Sequence, residues 1–159
     1  MKLTAGFTFA HPAHAIALGF GSGLAPVAPG TVGTLVAWPV GWYLGGVMAP
    51  SVLLAGLTLA FLAGMWACEL TGRHLGVSDH SAMVWDEIVA FLIVLAIVPR
   101  DLAWQVAAFV LFRAFDIGKP PPIDWFDRRV RGGFGVMFDD LLAAGYTLVC
   151  LAAIKRFLG

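Results

Sequence analysis

Charge is what this sequence lacks most. Of its 159 residues only 13% are Asp, Glu, Lys or Arg, whereas 60% are hydrophobic, and the mean hydropathy is +0.86. A soluble domain carries about 25% charged residues, so this chain has too few to keep a folded surface wet. Ten basic residues cancel ten acidic ones. Without a basic excess there is no electrostatic footprint for a phosphate backbone, which excludes nucleic acid as a partner. Cysteine is equally scarce: Cys68 and Cys150 sit in apolar runs at no metal spacing and read as small buried hydrophobes. Repeats, low-complexity tracts and linkers are absent too, so residues 1–159 read as one domain.

What is present is a series of apolar runs. Residues 1–18 carry Phe7, Phe9, Ile16 and Leu18 between polar positions, a pattern for a short interfacial helix. His11, Pro12 and His14 interrupt any apolar core of a cleavable signal, so none is expected. The Gly- and Pro-rich stretch from Gly19 to Thr34 reads as irregular backbone, with Thr31 as the N-cap of a helix from about Val32 to Val47. Further runs cover Val52–Leu70, Ala82–Val98, Leu102–Ile117 and Leu141–Ile154. Each approaches the ~20 residues that cross ~30 Å of hydrocarbon. The expectation is an all-α integral membrane helical bundle of about four to five membrane helices with an N-terminal interfacial helix.

Five crossings would place the 19–34, 71–85 and 118–140 connections on one face, with Lys2, Arg73, Lys119, Arg128, Arg129 and Arg131. The positive-inside rule makes that face cytoplasmic. Lys155 and Arg156 then fall on the wrong side, which leaves the first and fifth crossings open; a re-entrant or interfacial segment at either would restore the bias.

Ten of the twenty charged residues crowd into Leu111–Asp140. Ionisable residues at membrane helix ends are costly unless paired, which makes them functional candidates. Asp86 and Glu87 open the third run. Arg113 and Asp116, three apart, are neighbours on the fourth, and Lys119 comes one turn later. Asp139 and Asp140 begin the fifth, one of them as an N-cap. Glu69 and Arg73, four apart, read as a surface ion pair that could also face a site. Asp86, Glu87, Asp139 and Asp140 at one interface would repel each other and any phosphate, and a divalent cation removes both problems. Oxygen ligands without Cys or spaced His favour Mg²⁺. Carboxylates for the metal and Arg113 and Lys119 for phosphate oxygens make a metal-assisted phosphoryl-transfer site.

Other phosphatase chemistries are excluded. Cys150 and Arg156 have Cys-x5-Arg spacing, but no glycines form a cradle between them. Asp-x-Asp and Pro-Ser-Gly-His motifs are absent. A rival class is a small ion-coupled transporter or channel subunit, which would place its acids near the bilayer midplane.

Four blocks carry a family resemblance: GFGSGLAPVAPGTVGT (19–34), VWDEIV (84–89), LFRAFDIGKPPPI (111–123) and GGFGVMFDDLLAAG (132–145). In this order, over nearly the whole chain beyond residue 17, the sequence resembles phosphatidylglycerophosphatase A, a bacterial membrane lipid phosphatase. Gly118 departs from the bulky residue expected before Lys-Pro, a matter of packing. The resemblance implies a single membrane phosphatase domain that hydrolyses phosphatidylglycerol phosphate to phosphatidylglycerol and phosphate. It implies Mg²⁺ as cofactor and the bacterial cytoplasmic (inner) membrane as location, with the site facing the cytoplasm. The matching polar positions are Thr31, Asp86, Glu87, Arg113, Asp116, Lys119, Asp139 and Asp140. Either a metal-oriented water or a carboxylate could be the nucleophile.

Overall fold

The computed structural model describes residues 3–158; Lys2, counted above toward the basic face, lies outside them. Every regular element among these residues is helical. Helices α1 (Ala5–Phe9) and α2 (Pro12–Ala17) precede a 3-10 segment at Gly19–Leu24. Next come α3 (Pro29–Val47), α4 (Pro50–Leu75), α5 (Trp85–Ile97), α6 (Leu102–Gly118), the short α7 (Ile123–Arg129) and α8 (Gly132–Leu158).

Local chemistry sets most boundaries. Pro29 and Pro50 occupy the first turns of α3 and α4, where a missing N–H costs nothing. Asp101 caps α6 by accepting from the Ala103 and Trp104 amides at 3.0 and 3.2 Å. Gly76, in the left-handed region at φ 72°, ends α4.

Three boundaries differ from the sequence reading. The expected single N-terminal helix is two, because the His11 ring caps α2 and Pro12 starts it. Thr31 is not an N-cap: α3 begins at Pro29 after Ala28, a left-handed residue at φ 47°, and Thr31 lies inside the first turn. Neither Asp139 nor Asp140 is an N-cap, since α8 starts seven residues earlier at Gly132. The charged 118–140 connection therefore contains α7 and the first two turns of α8.

Helix α5 is the centre of the bundle. Its sequence is apolar all round after Glu87, as a helix buried on every side requires, and Ile88, Val89, Ala90, Phe91, Leu92, Val94 and Leu95 are buried. Helices α3, α4, α6 and α8 pack around it. Phe91 meets Trp38, Phe109 and Phe112 at ring separations of 5.6–6.2 Å. Outward, the surrounding helices present large apolar side chains, among them Tyr43, Leu59, Val110 and Val149. Two helices, α4 and α8, are long and apolar enough to cross a membrane, and only 28% and 22% of their apolar windows are buried. The core helix of a soluble protein would be mostly covered; these faces are apolar and open, the pattern that lipid solvates.

Candidate active site

Four helices bring their polar residues to one end of the bundle. The first turn of α5 supplies Asp86 and Glu87, the third turn of α8 Asp139 and Asp140, and the last turns of α6 Arg113 and Asp116. The N-terminus of α3 closes over them. Gly30 is needed there: a Cβ at this position would collide with Glu87 Oε1 and lie 3.2 Å from Arg113 Nη2.

Asp86, Glu87 and Asp140 form the core of the site. Their ligand oxygens lie within 4.8 Å of one another, and Asp86 and Asp140 are only 7% and 3% exposed. Asp86 Oδ1, Glu87 Oε2 and Asp140 Oδ2 are buried without a hydrogen-bond partner. Buried carboxylates left unpaired are costly, and here three converge. The neighbouring cation is Arg113, whose Nη1 is 3.7 Å from Glu87 Oε1 and which donates to Asp116 Oδ2. The expected Arg113–Asp116 pair is thus present, and it fixes the guanidinium beside the acids. Four carboxylates against one guanidinium leave excess negative charge, and orphaned hard oxygens at this spacing fit a divalent cation.

Asp139, one residue from Asp140, points elsewhere. Its Oδ2 receives Lys119 Nζ at 2.7 Å, and the same ammonium reaches Asp127 Oδ1 at 2.6 Å. Burial opposes the Lys119 charge, but these two carboxylates outweigh it and hold the ammonium above its usual range. Of the four carboxylates expected to share a metal, three come together and Asp139 is engaged by a lysine. Thr31 is half-buried in the first turn of α3, one residue from the Gly30 contact, and its hydroxyl makes no hydrogen bond among the described residues.

Other polar residues take structural positions that spacing did not reveal. Glu69 does pair with Arg73 at 2.8 Å, as expected, and its second oxygen accepts the Gly133 amide at 2.8 Å. It therefore caps α8 from α4. Asp127, eight residues past Lys119, is joined to it across the Pro120–Pro122 turn; opposite charges on either side of a rigid turn were the only signal. Of the basic patch, Arg128 is tied to Asp124 and Arg129 stacks over Trp125 at 4.7 Å.

Similarity to known proteins spans nearly the whole chain. The family model described as phosphatidylglycerophosphatase A matches residues 15–155. A phosphatidylglycerophosphatase A of Haemophilus influenzae is 45% identical over 150 residues, covering 93% of this chain and 91% of the relative. Its Escherichia coli counterpart is 43% identical over 150 residues, covering 94% and 84%. No solved structure matches the chain.

Proposed function

The chain belongs to the phosphatidylglycerophosphatase A family, and from that premise we propose that it hydrolyses the terminal phosphomonoester of phosphatidylglycerol phosphate. The products are phosphatidylglycerol and inorganic phosphate. The observation that carries the site assignment is the trio of buried, unpartnered oxygens on Asp86, Glu87 and Asp140 beside Arg113.

Asp86, Glu87 and Asp140 would hold Mg²⁺; their oxygen-only donor set favours it over softer metals. Bound there, the ion supplies charge neutralisation and Lewis acidity toward phosphoryl oxygens. The chain's own groups do the rest. Arg113, oriented by Asp116, binds the oxygens of the terminal phosphate. The first-turn amides of α3, at Gly30 and Thr31, have no intrahelical acceptor and add N–H donors at a helix N-terminus. Lys119 holds Asp139, and through it the adjoining Asp140 stays aimed at the cluster. Its ammonium, committed to two carboxylates, acts by positioning rather than as the main phosphate ligand.

The membrane completes the reading. With α4 and α8 crossing, α3 and α6 cross beside them around the shorter α5, and the acyl chains remain in the bilayer. The headgroup rises to the cytoplasmic end, where Arg73, Lys119, Arg128, Arg129 and Arg131 gather in accord with the positive-inside rule. The site carboxylates all lie at this end rather than along a path through the bundle, which favours hydrolysis over ion transport.

The test is phosphate release from phosphatidylglycerol phosphate in mixed micelles, with Mg²⁺ or with EDTA. Release that depends on Mg²⁺ is expected; a folded protein inactive in both conditions overturns the reading. Asp86→Asn and Asp140→Asn should each lower turnover by at least ~100-fold, since even outer-sphere partners of a metal cost 10–100-fold, with circular dichroism unchanged. Near-normal turnover in either variant would remove that carboxylate from the site.

A further inference from the structure

A second polar concavity lies at the start of α8, the helix that carries Asp139 and Asp140. A cleft of about 290 Å³ opens between the 76–84 connection, α7 and the start of α8, lined by Ser78, Asp79, Asp127, Arg128 and Arg131 among others. It is linked to the site by a relay of ion pairs: Asp127 lines the cleft and holds Lys119, and Lys119 holds Asp139 next to Asp140. The grooves lower on the bundle differ in kind, being lined by residues such as Leu54, Leu57, Phe61 and Ile93.

Three arginines border this region, and two are engaged. Arg128 is paired with Asp124, and Arg129 lies on the Trp125 ring. Arg131 is exposed, lines the cleft and has no ionic partner among the described residues. The cleft therefore offers one uncommitted guanidinium opposite carboxylate and hydroxyl acceptors.

The substrate has a matching second half. Beyond the phosphomonoester lie a three-carbon glycerol with one free hydroxyl and then a phosphodiester. The monoester belongs to the Asp86–Glu87–Asp140 cluster, and the remainder needs a hydroxyl acceptor and, beyond it, a cation. Resting on the phosphatase reading above, we infer that this cleft is the subsite for the glycerol–phosphodiester part of the headgroup. Arg131 pairs with the phosphodiester, in the bidentate geometry a guanidinium favours, and Asp79 and Asp127 accept the glycerol hydroxyl. Asp127 can do both tasks, because a carboxylate has lone pairs to spare beyond its bond to Lys119. The subsite makes the enzyme selective for a glycerol-bearing headgroup, since a lipid with only a phosphomonoester leaves Arg131 without a partner.

The two reaction products separate the two subsites. Phosphatidylglycerol carries the glycerol and phosphodiester without the monoester; inorganic phosphate carries only the latter's chemistry. Inhibition by each is measured for wild type, Arg131→Ala, Arg131→Lys and Arg129→Ala, using the full chain in mixed micelles turning over phosphatidylglycerol phosphate. In Arg131→Ala the inhibition constant for phosphatidylglycerol rises roughly tenfold, as for loss of a charged hydrogen bond, while that for phosphate stays at the wild-type value. Arg131→Lys recovers part of the loss, keeping the charge but not the planar fork, and Arg129→Ala behaves as wild type. An unchanged constant for phosphatidylglycerol, an equal rise in both, or no inhibition of wild type by phosphatidylglycerol overturns the subsite. Failure of the underlying activity looks different: wild type then releases no phosphate at all.

Discussion

Lys119 shows how a single side chain changes meaning between sequence and structure. One turn past Asp116 it reads as a second phosphate ligand, yet its ammonium is divided between Asp127 and Asp139. Because the folded state raises its pKa, the stabilisation is fully present below the unfolded value of about 10.4. It is lost only as pH climbs through the higher folded value, so the ammonium's own contribution does not change through the neutral range. Lys119→Met should strand the buried Asp139 and cost up to roughly 3 kcal/mol, read as a lower melting temperature in detergent. Adding Asp139→Asn should recover much of that loss; a double variant no more stable than the single one would refute the pairing. His14 carries the opposite dependence. Its Nδ1 donates to the Phe7 carbonyl at 3.0 Å, so Nε2 accepts from His74 Nδ1 at 2.8 Å. Burial lowers its pKa, the Phe7 carbonyl opposes this, and the nearby His74 and His11 rings lower it further. The neutral ring is the folded form. Its stabilisation is present above the unfolded pKa near ~6.5 and fades as pH falls through the lower folded value. Melting temperature should therefore rise from pH 5 to pH 7.5, and His14→Gln should flatten that rise. Neither partnership follows from helical spacing, because Asp127 lies across the Pro120–Pro122 turn and His74 meets His14 through the packing of α2 on α4.

At the scale of elements, the sequence reading located every long helix and misplaced the ends that matter chemically. The run ending α8 was read from Leu141 because Asp139 and Asp140 interrupt the hydropathy. In the fold the helix continues back to Gly132: the acids are buried against α5 and α6, and Glu69 satisfies the Gly133 amide. A cap supplied from α4, more than sixty residues away, leaves no local trace. At α3 the expected start is again too late, but there a local signal exists, since Pro29 at a first-turn position is a start signal as good as Thr31. The consequence is functional, because the extra turn carries Gly30 onto Glu87 and Arg113. Gly30→Ala, a change that normally favours a helix, should instead displace Glu87. A fall in turnover of about tenfold or more is expected from misplacing groups at the reacting centre, with helical content retained by circular dichroism. Normal turnover would show that α3 does not close the site.

The whole molecule is a shell of helices around α5, with its acids at one end. Ser51, in the first turn of α4, and Ser81, beyond its C-terminal end, are both exposed. In a Cys150→Ala background, where Cys68 is fully buried, Ser81→Cys should react with a membrane-impermeant maleimide from the cytoplasmic side and Ser51→Cys from the other. Labelling of both from one side would overturn the crossing of α4 and with it the orientation of the site. At 13 residues, or ~20 Å of helix, α5 is too short to cover the hydrocarbon by itself. Its place is set by the longer helices that enclose it.

Sequence alone determined the features that composition and local periodicity control. Scarce charge and long apolar runs require helices in an apolar solvent, since only internally hydrogen-bonded backbone survives there. Ten charges between Leu111 and Asp140, with the Asp86–Glu87 pair, mark out the candidate site, and the ordered motif blocks assign the family. Tertiary structure decided which of those charges meet. Asp86, Glu87 and Asp140 converge while Asp139 turns to Lys119, although Asp139 and Asp140 are adjacent in the chain. Neighbours on a helix point about 100° apart, so the packing of α8 against α5 sends one carboxylate into the cluster and the other toward α7. That division is a property of helix rotation, which no spacing along the chain encodes.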